Sequence, residues 1–232
     1  MGHCKLAIFD FDGTIADSAA WFAGALNELA RHNGFREVSG EQREMLRGLS
    51  TREIFAYLGI PPGKLPLVVR QLREIAARDA GQISVFPWVP DIFGALRGRG
   101  ISIAIVSSNT KANIRRVLGA EVASMVEQFG TGAPLFGKAA KINAVIRRCA
   151  STAALTTSVG DEVRDIEAAR ALGIRSLAVT WYMQPLQRSK PLAPRGWCMR
   201  PPNCWTGSPK NLDRQLRRLQ ATGKSLALFV IR

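Results

Sequence analysis

Apolar positions fall into two periods along the chain. Residues 5–9 form a short apolar run, which predicts a buried strand. A second strong apolar run lies at 101–106, and shorter, more polar stretches at 156–159 and 175–179 are read as strands too. Between them apolar residues recur at helical spacing, over 18–31, 90–99, 110–118, 138–149 and 163–172. Gly100 and Gly173 stop two of these helices. Strands alternating with helices through short loops predict an α/β fold, a doubly wound parallel sheet with helices on both faces. Residues 39–80 read differently, as helix throughout with no clear strand. Ser39 and Gln42 mark one helix start, and Ser50 and Glu53 match a capping box. Pro61, Pro62 and Gly63 break the pattern before a helix over 65–80. This stretch predicts a small all-helical insert.

The boundaries that follow are a core of residues 1–16 and 86–183, a helical cap of 17–85, and a tail of 184–232. The chain has 232 residues, 47% apolar and 22% charged, which is a globular balance and excludes wholesale disorder. Four cysteines with no C-x-x-C pair exclude a disulfide framework, and His3 and His32 have no metal-ligand spacing. There is no secretory pattern at the N-terminus, and apolar runs stop short of the roughly 18–20 residues of a membrane helix. The expectation is a cytoplasmic protein with no membrane partner.

The net charge of +14 changes this picture only at one end. Residues 184–232 hold ten Lys and Arg against one acid, Asp213, so +9 of the excess lies there. A basic surface can mean a nucleic-acid partner. Here the charge belongs to the tail alone, and nucleic acid is not the expected partner.

Candidate chemistry gathers at the strand ends. Asp10 and Asp12 follow the first strand, Ser107 follows the strand over 101–106, Lys138 opens a helix, and Asp161 and Asp165 flank a strand-to-helix turn. In a parallel sheet the carboxyl ends of the strands share one edge, where ligands bind. Clustered carboxylates repel unless a cation joins them, and oxygen-only ligands favour Mg2+ together with a substrate phosphate. A lysine and a serine hydroxyl supply charge and a hydrogen bond to an anion. A carboxylate can attack phosphorus, and a second one beside it can protonate the leaving oxygen and then activate water.

Asp10-Phe-Asp-Gly-Thr14, the Ile-Val-Ser-Ser of 105–108, Lys138 and Gly160-Asp-Glu-Val-Arg-Asp165 resemble, in order, the four motifs of the haloacid dehalogenase-like hydrolases. The resemblance spans residues 5–182, and the helical insert is similar to the cap of the phosphoglycolate phosphatase-like branch. It implies a Rossmann-like core and a Mg2+-dependent phosphatase that acts on a small phosphorylated metabolite, either phosphoglycolate-like or a sugar phosphate, through an aspartyl-phosphate. Asp10 is then the nucleophile and Asp12 the general acid/base, with the Asp12 backbone carbonyl on the metal. Ser107 binds phosphoryl oxygens and Lys138 neutralises nucleophile and phosphate. Asp161 is the carboxylate ligand of Mg2+, and Asp165 is a metal-linked acid that orients the lysine. The metal set is thus Asp10, Asp12, Asp161 and Asp165. Gly13, Thr14, Ser108 and Asn109 are expected to line the substrate.

Blander roles compete at several positions. Lys141 is the rival to Lys138, one turn along. Ser108 and Asn109 are candidate helix caps, and Glu162 is an acid placed to answer a helix dipole. Arg47, Ser50, Thr51 and Arg52 are weighed as cap residues that read the substrate. Two other functions stay open: a sugar-phosphate mutase, which shares these motifs, and a catalytically degenerate relative whose basic tail binds nucleic acid.

The tail is rich in Pro, Arg and Trp where the resemblance implies a last strand and an amphipathic helix. Reading its codons shifted by one base turns residues 203–206 into Leu-Leu-Asp, so the expectation is a tail out of the ancestral frame. The rival is a true basic tail, with a short helix over 212–219 and an apolar end, 226–231, that pairs with a sheet edge.

Overall fold

The computed structural model describes residues 4–46, 51–132, 137–179 and 228–231. Strand β1 (Leu6–Phe9) lies at the centre of a six-stranded sheet. Its parallel neighbours are β4 (Ser102–Val106) and β6 (Thr156–Gly160), with Leu6 level with Ser102 on one side and Thr156 on the other. Outside them run β5 (Gln128–Gly130) and β7 (Arg175–Val179), also parallel. An antiparallel strand, β8 (Leu228–Ile231), pairs with β7 and sets Val179 opposite Leu228. The apolar end of the tail therefore meets the sheet edge. The helix expected over 212–219 and the frame expectation for the rest of the tail lie outside the described residues.

Period-two alternation builds two cores from one sheet. Ala7, Phe9, Ile103 and Ile105 pack on one face against Val89 and Phe93 of α5 (Val89–Arg97) and Ile114 and Leu118 of α6 (Lys111–Ser124). Leu6, Ile8, Ala104 and Val106 pack on the other face. Their partners are Ile142 and Val145 of α7 (Lys138–Arg148) and Ala168 and Ala169 of α8 (Val163–Ala171). Each fully buried Ile or Phe is worth about 1.5–3 kcal/mol against its exposed state. The doubly wound sheet of the sequence reading is present, with one antiparallel edge strand added.

The helical insert has its own core. Helix α1 (Ala19–Asn33) contributes Leu26 and Leu29. Helix α2 (Gly40–Leu46) contributes Leu46, α3 (Thr51–Tyr57) Ile54 and Phe55, and α4 (Leu65–Arg78) Val68 and Ile75. At the start of α2 the Gln42 N–H donates to Ser39 Oγ and the Ser39 N–H to Gln42 Oε1, a reciprocal cap. Ser50 of the other expected capping box lies outside the described residues. A short antiparallel ribbon, β2 (Ala16–Asp17) with β3 (Ser84–Val85), stands where the chain leaves the sheet for these helices and where it returns.

Three readings need correction. Strand β5 was not predicted, because Gln128-Phe129-Gly130 carries no apolar run; it is an edge strand held by backbone pairing to β4. Helix α6 runs on to Ser124 past a break at Gly119, whose φ of 72° ends the regular turn there. Thr110, not Ser108, caps α6, accepting from the Asn113 N–H.

Candidate active site

The order β5-β4-β1-β6-β7 makes the chain reverse direction beside β1. A crevice opens outside the carboxyl ends of strands at such a point. Asp10 stands at the end of β1, Ser107 at the end of β4 and Asp161 at the end of β6. Lys138 and Asp165 enter from the first turns of α7 and α8.

Lys138 joins two carboxylates. Its ammonium lies 2.7 Å from Asp10 Oδ1 and pairs as well with Asp165. All three side chains are at least nine-tenths buried. Burial works against the ammonium, but Asp10 and Asp165 outweigh it and hold the lysine above its ordinary pKa. The rival Lys141 points elsewhere, donating to the Thr131 carbonyl.

Asp10, Asp161 and Asp165 each bring a carboxylate oxygen within 4.8 Å of the others. Burial first, then repulsion from Asp10 and Asp165, pushes the Asp161 carboxyl well above the usual range. Burial also raises Asp165, against the pull of Lys138. Lys138 and the nearby Arg164, itself paired with Glu162, leave these three carboxylates in negative excess. Their donor set, oxygen only, fits a hard divalent cation such as Mg2+.

Small residues make this cluster possible. Thr14 Oγ1 donates to Asp161 Oδ1 at 2.7 Å, so the Thr14 hydroxyl orients a carboxylate. Gly13 has φ 76°, and a Cβ there would overlap the Asp161 carboxylate. A Cβ at Gly160 would overlap that of Asp165.

The Asp12 carboxyl is pushed up to about 6 by burial and by the neighbouring Asp10, against a hydrogen bond from Ser18. Its Oδ1 is buried with no hydrogen-bond partner among the described residues. A carboxyl titrating near 6 is mostly ionised at pH 7, yet it takes up a proton there far more readily than an ordinary one.

Ser107 Oγ accepts from the Asn109 N–H at 3.0 Å, which turns the loop and leaves the hydroxyl proton to be donated. Asn109 Oδ1 is taken by the Thr110 N–H and by Asn113 Nδ2, so this carboxamide braces its own loop. The Ser108 carbonyl accepts two bonds from Arg73 of α4. Glu162 caps α8, and the Glu162 N–H donates to Asp165 Oδ2.

The structure therefore brings Asp10, Asp12, Thr14, Lys138, Asp161 and Asp165 together through direct contacts or close charge. Ser107 sits at the neighbouring strand end. Arg47 and Ser50 lie outside the described residues, as do the side chains of Thr51 and Arg52. Arg164 was given no role in the sequence. Its guanidinium is three-quarters buried, donates to Glu162 Oε1 at 2.8 Å, and feels Asp10, Asp161 and Asp165. Ser18, where the helix predicted over 18–31 begins, gives its hydroxyl to the Asp12 carboxyl. Neither role has a signal in the sequence, because each depends on a partner brought close by folding.

Comparison with known proteins agrees with this geometry. The sequence pattern of the haloacid dehalogenase-like hydrolase family matches residues 7–179. Phosphoglycolate phosphatase of Synechococcus elongatus is 29% identical over 209 residues, covering 90% of this chain and 98% of that protein. Among solved structures, a haloacid dehalogenase-like hydrolase from Streptococcus pneumoniae has a TM-score of 0.64 at 20% identity, covering 77% of this chain and 85% of its own. CbbY from Rhodobacter sphaeroides, in complex with phosphate, has a TM-score of 0.61 at 17% identity, covering 75% and 84%. Among the described residues no helix is long and apolar enough to cross a membrane. The chain belongs to the haloacid dehalogenase-like hydrolase family and is phosphoglycolate phosphatase-like.

Proposed function

We propose that the protein is a Mg2+-dependent phosphatase that hydrolyses a small phosphomonoester through an aspartyl-phosphate on Asp10. The observation that carries this reading is the buried Asp10–Lys138–Asp165 triad with the Asp161 carboxylate within 4.8 Å of both acids.

A bound Mg2+ would be held by Asp10, Asp161 and the Asp12 carbonyl, with Asp165 linked to it, and would offset charge on the phosphoryl oxygens. Asp10 attacks phosphorus while the ester P–O bond breaks. Asp12 gives its proton to the leaving oxygen. Lys138 and the Ser107 hydroxyl hold phosphoryl oxygens, and Lys138 holds the Asp10 carboxylate in place through their ion pair. Asp12, now a carboxylate, takes a proton from water as that water attacks the aspartyl-phosphate. Inorganic phosphate leaves and Asp10 is restored. The helical insert is the cap that covers the site and selects the alcohol. A phosphoglycolate-like substrate is the leading choice, supported by the cyanobacterial relative.

The test is phosphate release from a panel of small phosphomonoesters, with and without Mg2+, for wild type and Asp10→Asn. Mg2+-dependent release that disappears in the variant is expected. No release from folded wild type would overturn the reading.

A further inference from the structure

Helix α4 belongs to the insert, yet three of its groups are bonded to the core, one to the loop that carries Ser107 and two to α6, the helix that follows it. Arg73 Nε and Nη2 donate to the Ser108 carbonyl at 3.0 and 2.8 Å. Asn113 Nδ2 donates to the Arg73 carbonyl at 2.9 Å and to Asn109 Oδ1 at 3.1 Å. Arg116 Nη1 donates to the Ala77 carbonyl at 2.7 Å, one turn further along α4. The first two contacts differ from the third. They grip both ends of the Ser108-Asn109 segment, next to the Ser107 hydroxyl at the end of β4. Arg116 joins the two helices without touching the loop.

We propose that Arg73 is a positioning residue, acting from the insert through the Ser108 carbonyl to fix the Ser107 hydroxyl for the phosphoryl group. The inference rests on the phosphatase reading of the Ser107 site. A two-pronged guanidinium on one carbonyl fixes direction as well as distance, which a single donor does not. Asn113 completes the grip, since it is bonded to Arg73 and to the loop at once. The phosphate-binding loop thus takes its final geometry only when the insert is seated on the core.

The experiment compares Arg73→Ala, Arg73→Lys, Asn113→Ala and Arg116→Ala with wild type. Two readouts are taken: amide hydrogen exchange of residues 107–113, and steady-state kinetics on the best phosphomonoester. Arg73→Ala is expected to speed exchange in that segment while α7 and α8 stay unchanged. It should lower kcat by about 10- to 100-fold, with KM within about threefold, because a misplaced donor is felt at the transition state. Arg73→Lys should recover part of the kcat. Asn113→Ala should resemble Arg73→Ala, and the double variant should lose less than the product of the two. Arg116→Ala should leave kcat within about twofold, although it removes an α4–α6 bond of its own. The proposal is overturned if Arg73→Ala leaves loop exchange and kcat unchanged, or if Arg116→Ala matches it in both. Should wild type release no phosphate, the phosphatase reading fails, while the exchange comparison still decides whether Arg73 holds the loop.

Discussion

The core and the insert use pairs of opposite charge to opposite ends. In the sheet, Lys138 is one-tenth exposed and its partners Asp10 and Asp165 less than that. In the insert, Arg78 binds Glu28 at 2.7 Å with side chains 56% and 28% exposed, and Arg70 faces Glu74 at 3.7 Å in open solvent. Water screens the insert pairs, so each adds little. Burial magnifies the sheet cluster, where ions are costly to desolvate and tolerable only while every partner is present. Evenly placed surface pairs are what a soluble helical layer needs. A buried, unbalanced cluster is what chemistry needs.

Substitutions at the cluster should therefore have the largest effects. Lys138→Met would leave Asp10 and Asp165 facing each other in the interior. A loss of about 3–5 kcal/mol in stability is expected together with loss of turnover, measured by urea unfolding and phosphate release. An unchanged unfolding midpoint would erase the contrast between the two regions. Asp10→Asn should abolish turnover, because the amide is no nucleophile, yet relieve repulsion on Asp161. A melting temperature at or above that of wild type is expected in metal-free buffer, and a drop would contradict the charge argument.

The second test is pH. Asp12 holds its proton up to about 6 in the folded chain, against a model-peptide 3.8. The folded state then binds the proton more tightly than the unfolded state. That contribution is complete below 3.8 and is lost as the pH rises through about 6, up to about 3 kcal/mol. Asp161 and Asp165, also raised, act in the same direction. Metal-free protein should melt higher at pH 5 than at pH 8. Saturating Mg2+ should raise the pH 8 value most and flatten the slope, by about 2.7 kcal/mol at a hundredfold excess over Kd. A slope of the opposite sign, read by calorimetry, would refute the burial of uncompensated carboxylates.

Glycine positions come next. Gly160→Ala would press a methyl group on the Asp165 carboxylate, so kcat should fall while the insert keeps its far-UV helical signal. Last, Glu74→Gln on the exposed face of α4 should cost about 0.3 kcal/mol and leave kinetics unchanged. A larger loss there would mean that the insert pairs carry more than their exposure allows.

Much of the site was legible because its residues sit at strand ends, and strand ends are marked by where apolar runs stop. Asp10 and Ser107 follow such runs directly, and Asp161 follows a more polar strand, Thr156–Gly160, that its glycine closes. The edges of the molecule were less legible. Strand β5 is three residues with no apolar pattern, and it is recognised only by its pairing with Ala104, Ile105 and Val106. The turn beyond Gly119 belongs to α6 although the helical pattern ends at residue 118. Arg73 and Asn113 carry no local mark at all, since their partners lie 35 and 40 residues away.

The amino-acid sequence by itself determined the layers of this protein. A continuous apolar run gave β1 two apolar faces, helical spacing gave each flanking helix one, and the break at 61–63 marked off the last helix of the insert. It also determined which residue types stand at the strand ends, and through them the family. It left Lys138 and Lys141 as rivals, because one helical turn separates them and both follow the same glycine. Only the tertiary structure decided between them, by sending one ammonium to Asp10 and the other to the Thr131 carbonyl. It likewise placed Thr14 and Gly13 against the Asp161 carboxylate, and bonded Arg73 to a loop on the far side of the insert boundary. Periodicity is a local property, set by the geometry of a few neighbouring residues. Charge pairing falls off over a few ångströms and depends on which distant segments the packed cores bring within that reach.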